Sequence, residues 1–142
     1  MIVSHILSGK GSNVLTSGPQ ATIADVASTL ADNKIGALVV VEDDGSVCGI
    51  VSERDVVRQI AARGPDALNL PCSVCMTRKV VSCSEEETID SVMGKMSEGR
   101  FRHLPVVRDG RLAGIISIGD VVKNKIEQAE RDAEELKRYI VG

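Results

Sequence analysis

Gly49-Ile50-Val51-Ser52-Glu53-Arg54-Asp55 and Gly114-Ile115-Ile116-Ser117-Ile118-Gly119-Asp120 spell one pattern twice, Gly-aliphatic-aliphatic-Ser-x-x-Asp, 65 residues apart. In each copy an aliphatic run of strand character stops at a serine and a helical pattern follows, so each reads as a strand feeding a helix start. A serine followed three positions on by an acid is a capping-box arrangement. The hydroxyl satisfies free helix N–H groups, and the carboxylate favours the positive end of the helix. The same geometry suits a ribose: a carboxylate accepts from two vicinal hydroxyls, while the serine hydroxyl and the helix N-terminus face a phosphate. The two roles are compatible, and both stand at this point.

Working outward, the copying extends over most of the chain. Thr22-Ile23 and Val26 recur as Thr88-Ile89 and Val92, and Leu38 and Val40-Val41 recur as Leu104 and Val106-Val107, all offset by 66. After a one-residue deletion in the second turn the offset is 65, with Asp44-Gly45 matching Asp109-Gly110 and Val56-Val57 matching Val121-Val122. Ser4 and Lys10 correspond to Ser73 and Lys79 once Gly11-Ser12-Asn13 is taken as an insertion. The chain thus divides into a first repeat, 1-66, a second, 70-126, and a helical extension, 127-142. The seam Arg63-Gly64-Pro65-Asp66 is built of turn residues.

Each repeat reads as β-α-β-β-α. A short strand around Val14-Leu15 or Val80-Val81 leads to Thr22 or Thr88, either of which can cap a helix. That helix carries a buried stripe at three-and-four spacing: Ile23, Val26, Ala27 and Leu30, or Ile89, Val92, Met93 and Met96. Two strand-length runs follow, joined by an Asp-Gly turn. The expected class is therefore α/β (α+β), with a long C-terminal helix. A unit of about 60 residues is only marginally stable alone, so the copies should pack together across a pseudo-twofold axis, with equivalent clefts on either side of it.

Composition excludes several functions. With 142 residues, 43% hydrophobic, and a formal charge of -3, the chain is a folding one rather than a disordered one. An isoelectric point near 5.4, no Trp, one Tyr and one Phe supply neither the basic stripe nor the stacking platform of a nucleic-acid binder. No apolar run approaches the roughly 20 residues of a membrane span, and Met1-Ile2-Val3-Ser4-His5 lacks signal-peptide character. The expectation is a cytoplasmic protein with neither nucleic acid nor membrane as partner. Cys72-Ser73-Val74-Cys75 has a spacing open to zinc or redox use, but no second pair completes a zinc set, and small apolar packing is the plainer role. No GxSxG, Walker or other catalytic set occurs, so the chain reads as a binder, not an enzyme.

Two such repeats, each ending in G-h-h-[ST]-x-x-D, resemble a tandem pair of cystathionine-β-synthase (CBS) domains, a Bateman module. That resemblance implies sheet-to-sheet association of the repeats, a disc-like dimer of modules, and adenosine nucleotides in the clefts. It implies that Asp55 and Asp120 hold ribose hydroxyls with Ser52 and Ser117 beside them. It also implies that adenine lies among Val14, Leu15 and Ile50, or Val80, Val81 and Ile115. AMP is the favoured ligand, with ATP, ADP and NAD(H) as alternatives.

The second repeat adds Gly99-Arg100-Phe101-Arg102-His103-Leu104-Pro105 where the first has Asn33-Lys34-Ile35-Gly36-Ala37-Leu38-Val39. A cationic pair in an acidic protein calls for an anion, so Arg102 and His103, with Arg54 and Lys10, are phosphate candidates. The otherwise plain Gly36-Ala37 sets the clefts apart, and the cleft on Asp120 is favoured. Beyond Asp120, the apolar positions Val122, Ile126, Ala129, Ala133, Leu136 and Ile140 alternate steps of four and three, which suggests a homodimer contact. The rival reading is a structural dimerisation or adaptor module in which the Ser-Asp pairs only cap helices.

Overall fold

In the computed structural model, residues 1–11 and 14–141 are described. Ser12 and Asn13 of the insertion, and the final Gly142, lie outside them. The elements are α1 (Val3–Lys10), β1 (Thr16–Ser17), α2 (Ile23–Asn33), β2 (Ala37–Val41), β3 (Val47–Ser52), α3 (Glu53–Arg63), α4 (Ile89–Gly99), β4 (His103–Arg108), β5 (Arg111–Ser117) and α5 (Ile118–Val141), with 3-10 turns at Gly64–Asn69 and Cys72–Val74. This is a mixed α/β fold ending in a long helix.

Helix starts follow from their side chains. Thr22 accepts from the Asp25 amide at 3.1 Å and Thr88 from the Ser91 amide at 3.1 Å, opening α2 and α4. Both helices end on a left-handed residue, Lys34 and Arg100, so both chains turn sharply into the next strand. β2 pairs antiparallel with β3, and β4 with β5. At the tip of the second hairpin Asp109 and Gly110 both have positive φ, as a two-residue turn matched to strand twist demands.

The opening strand of each repeat lies later than the aliphatic pairs suggest. β1 is Thr16–Ser17, with Ser17 opposite Val40, and its counterpart is a single bridge of Cys83 to Val106. The Cys83 amide donates to the Pro105 carbonyl and the Val107 amide to the Cys83 carbonyl. Leu15 and Val81 stay exposed, whereas Cys83 is buried. The pairing site is chosen by what can face the core beside β2 and β4, and β-propensity is overridden. Met93 is likewise exposed, one position round α4 from the buried Ile89, Val92 and Met96.

Two apolar cores result, and each borrows from the other repeat. α2, β2 and β3 contribute Ile23, Val26, Leu38, Val40 and Val51 to one core, completed by Cys72 and Met76 from ahead of the second repeat. α4, β4 and β5 contribute Val92, Met96, Leu104, Val106 and Ile116 to the other, completed by Val3 and Leu7 of α1. The backbone repeats the exchange: Ile2 bridges Thr88, and Pro71 bridges Thr22. The first glycine of each motif makes it possible. A Cβ on Gly114 would lie 2.7 Å from Leu7 Cδ2, and one on Gly49 would lie 2.6 Å from Met76 Sδ. Leu7 and Met76 are equivalent positions of the two leaders, so the exchange is reciprocal about the pseudo-twofold axis.

Candidate functional site

Ser52 and Ser117 are the last residues of β3 and β5, and the Ser-x-x-Asp boxes form as the spacing dictates. At the first, the Ser52 amide donates to Asp55 Oδ2 at 2.9 Å, Ser52 Oγ donates to the same oxygen at 3.1 Å, and the Asp55 amide donates back to Ser52 Oγ at 3.3 Å. At the second, the Ser117 amide donates to Asp120 Oδ2 at 2.9 Å and the Asp120 amide to Ser117 Oγ at 3.1 Å. Capping thus uses one oxygen of each carboxylate. Asp55 Oδ1 and Asp120 Oδ1 both lack a hydrogen-bond partner among the described residues and remain acceptors for something else.

The environments of the two carboxylates differ. Lys10 Nζ, on the last turn of α1, donates to Asp120 Oδ2 at 2.6 Å and to the Ile115 carbonyl at 3.1 Å. Burial pushes the Asp120 carboxyl up, but the Lys10 ammonium and the Ser117 amide outweigh it and hold the group below its ordinary value. Asp55 has no ion-pair partner among the described residues. It opens instead into a cleft of about 410 Å³ between the repeats, within the range of small-molecule sites.

One wall of this cleft is Ile50, Ser52, Asp55, Arg54 and Arg58 from β3 and α3, with Gly36 and Ala37 at the start of β2. The other is Arg100, Phe101, Arg102 and His103, leading from α4 into β4, and Thr77 closes one side. Four guanidinium groups face two carboxylates, Glu53 and Asp55, and none of the four is ion-paired among the described residues. In an acidic protein this local surplus of cations would favour an anion, and arginine's planar fork suits phosphate oxygens. His103 stands at the centre. A Cβ on Gly36 would approach its Cε1 to 3.3 Å, so the ring lies on the Gly36 backbone, and glycine there is a fit to the imidazole. Burial lowers the His103 pKa, Lys10 and Arg102 add to the lowering, and Asp120 and Glu53 oppose it, so the neutral ring is favoured.

The residues singled out from sequence are therefore distributed as follows. Ser52, Asp55, Arg54, Arg102, His103 and Ile50 meet in one cleft. Ser117, Asp120, Lys10 and Ile115 meet at a second position, already bridged by the lysine. Val14 lines a separate hollow of about 320 Å³ beside the hairpin tips, with Asp44 and Arg111. Leu15, Val80 and Val81 line none of the described cavities. The open cleft is on Asp55, whereas sequence comparison favours Asp120, because the cationic stretch of the second repeat faces the carboxylate of the first. Arg58 and Thr77 escaped sequence reading. Arg58 follows Arg54 by one helical turn, a legible signal; Thr77 is placed only by its long-range bridge to Ile50.

The cysteines are free thiols, Cys72 and Cys83 buried and Cys48 and Cys75 half-buried. Burial raises the pKa of all four, Cys83 to about 11, which suppresses the reactive thiolate. Among the described residues no group of three or more His, Cys, Asp or Glu is arranged to hold a metal, and no helix is long and apolar enough to cross a membrane.

A duplicated β-α-β-β-α chain with a Ser-x-x-Asp cleft between its halves is a tandem two-repeat architecture. A family model for the CBS domain matches residues 4–62 and 72–127, and the chain belongs to that family, as a tandem CBS pair. The structure is similar to the CBS-domain containing protein ATU1752 from Agrobacterium tumefaciens, with 50% sequence identity, a TM-score of 0.85, and coverage of 88% of this chain and 99% of that one. It is also similar to the CBS domain pair of protein MJ0100, solved in complex with 5′-methylthioadenosine and S-adenosyl-L-methionine, at 26% identity, a TM-score of 0.80, and 90% and 98% coverage. A mitochondrial CBS domain-containing protein of Arabidopsis thaliana, CBSX3, is 29% identical over 148 residues, spanning 99% of this chain and 72% of that protein.

Proposed function

We propose that this protein is a non-catalytic regulatory module that binds an adenine nucleotide, with AMP favoured, in the cleft between its repeats. The observation that carries this reading is Asp55 Oδ1, without a partner among the described residues, sharing one cleft with four arginines that have no ion pair among those residues. A carboxylate for a ribose diol stands with Arg54 and Arg58 on one wall, and Arg100 and Arg102 offer guanidinium groups for a phosphate from the other. With almost no aromatic residues available, the base would lie against aliphatic side chains such as Ile50. The adenosine-type ligands of the MJ0100 pair agree with this ligand class. The cleft joins the two repeats, so occupancy would bias their relative arrangement, provided the ligand prefers one arrangement over the other.

The module would act as a homodimer. On α5, Val122, Ile126, Leu136 and Ile140 are all exposed, the stripe a second copy would cover. Sedimentation of the purified chain tests this, and a monomer at micromolar concentration overturns it.

Isothermal titration with AMP, ADP, ATP, NADH and 5′-methylthioadenosine tests the ligand reading. AMP is expected to bind more tightly than 5′-methylthioadenosine, which lacks the phosphate. Equal affinity for the two would remove the arginines from the site. The rival reading, a structural module whose Ser-Asp pairs only cap helices, is favoured by how completely the boxes close on their own side chains and amides. It predicts no thermal shift, whereas a ligand at 100 times its dissociation constant adds about 2.7 kcal/mol.

A further inference from the structure

The leaders ahead of the two repeats are copies that have taken different backbone paths. Ahead of the second repeat, the 3-10 turn Cys72–Val74 gives way to bends around a single bridge, where Thr77 pairs with Ile50 in both directions, its amide donating at 2.8 Å and its carbonyl accepting at 3.0 Å. That path leaves Lys79 exposed and without an ion pair among the described residues, and Asp55 faces an open cleft. Ahead of the first repeat, α1 stays helical to Lys10. Leu7 anchors it over Gly114, and Lys10, three residues on and so on the same helix face, is carried to the motif of the second repeat.

Lys10 then does two things there. Its ammonium sits on Asp120 and on the Ile115 carbonyl, the backbone group of the position equivalent to Ile50. The side chains of the pair are 35% and 22% exposed, so the bridge is partly withdrawn from water and solvent competes with it less than with an open surface pair. We propose that Lys10 is the built-in occupant of the Asp120 position and that it limits the chain to one nucleotide, held on Asp55. This rests on the reading of the Asp55 cleft given above. A ribose diol approaching Asp120 must compete with an ammonium already seated on that carboxylate through Oδ2 and on the Ile115 carbonyl beside it. The sequence difference that creates the asymmetry is therefore not in the Ser-x-x-Asp motif, which is intact in both repeats, but about 110 residues away, in how long α1 stays helical.

The test is calorimetric stoichiometry with AMP, using the full chain and four forms: the natural protein, Lys10→Met, Asp55→Asn, and the double variant. Methionine keeps the aliphatic stem and removes only the charge, and a melting curve for each form establishes that it is folded. The natural protein should bind one AMP per chain and Lys10→Met two. Asp55→Asn should keep no tight site, its AMP affinity falling about 10- to 100-fold, and the double variant should show one tight site. The second site should be at least about tenfold tighter in Lys10→Met than any residual site in the natural protein. One AMP per chain in both the natural protein and Lys10→Met, or two in the natural protein, overturns this inference and leaves the Asp55 cleft standing. No binding by any folded form overturns the cleft reading and this inference together.

Discussion

If α1 truly completes the core of the opposite repeat, Leu7 and Gly114 must be energetically coupled although 107 residues separate them in the chain. Leu7 is 7% exposed, and Leu7→Ala should cost about 2–5 kcal/mol in lost burial and cavity formation. Gly114→Ala places a methyl 2.7 Å from Leu7 Cδ2 and 3.1 Å from Cδ1. Overpacking of this kind costs about 1–3 kcal/mol. The clash is with the ends of a flexible side chain, and losing glycine's unfolded-state freedom returns about 0.4–1 kcal/mol, so the lower part of that range is expected. In the double variant the new methyl enters the space that Leu7 has left. The combined loss should fall short of the sum by about 0.5–3 kcal/mol. Met76→Ala with Gly49→Ala should couple in the same sense, less completely, because the Thr77 carbonyl 3.2 Å from a Gly49 Cβ is held by Ile50 and stays. Leu7→Ala with Gly49→Ala should simply add. Urea unfolding followed by circular dichroism, with the slope constant across variants, measures each term. Additivity for Leu7 with Gly114, together with coupling of Leu7 to Gly49, would place α1 on its own repeat and refute the exchange.

Three further outcomes are expected. Asp55→Asn keeps an oxygen for the Ser52 amide but loses the charge that accepts from a diol, so AMP affinity should fall about 10- to 100-fold, one charge-assisted bond at about 1.5–3 kcal/mol. Its melting temperature should move little, and a large fall in melting with unchanged affinity would make Asp55 purely a cap. His103, with a native pKa below its unfolded value, releases its proton on folding; stability is complete above about pH 6.5 and declines as pH falls through that value toward the native pKa. His103→Gln should flatten the pH 5 to 7 melting profile, and an unaltered slope would assign that dependence elsewhere. Arg102→Ala should weaken AMP binding and reduce its salt dependence without altering 5′-methylthioadenosine binding, as titration at two ionic strengths would show; equal losses for both ligands would place Arg102 away from the phosphate.

What the sequence discloses is what neighbours in the chain decide. Thr22, Thr88, Ser52 and Ser117 cap helices through groups three residues away, and Asp109-Gly110 makes its turn within two residues; these are legible because the physics is local. The opening strands are misplaced by two to three residues because a two-residue strand has no pattern of its own. Ser17 and Cys83 are selected by the β2 and β4 edges they meet. The inequality of the clefts was partly visible in Gly36-Ala37 against Arg102-His103, yet which carboxylate stays open was not. That depends on where Lys10 ends up, and a helix that continues one turn further leaves no mark in the Ser-x-x-Asp motif.

The reciprocal loan of leaders also bears on how such a chain can be cut or rearranged. A break in the 64–69 turn would release two pieces, one repeat each, and neither could complete its interior, since each would carry the plug made for the other. The fragments should recover native structure only when mixed. By the same logic two intact chains could trade leaders and lock as an interlinked pair, a hazard that the short path between halves holds in check.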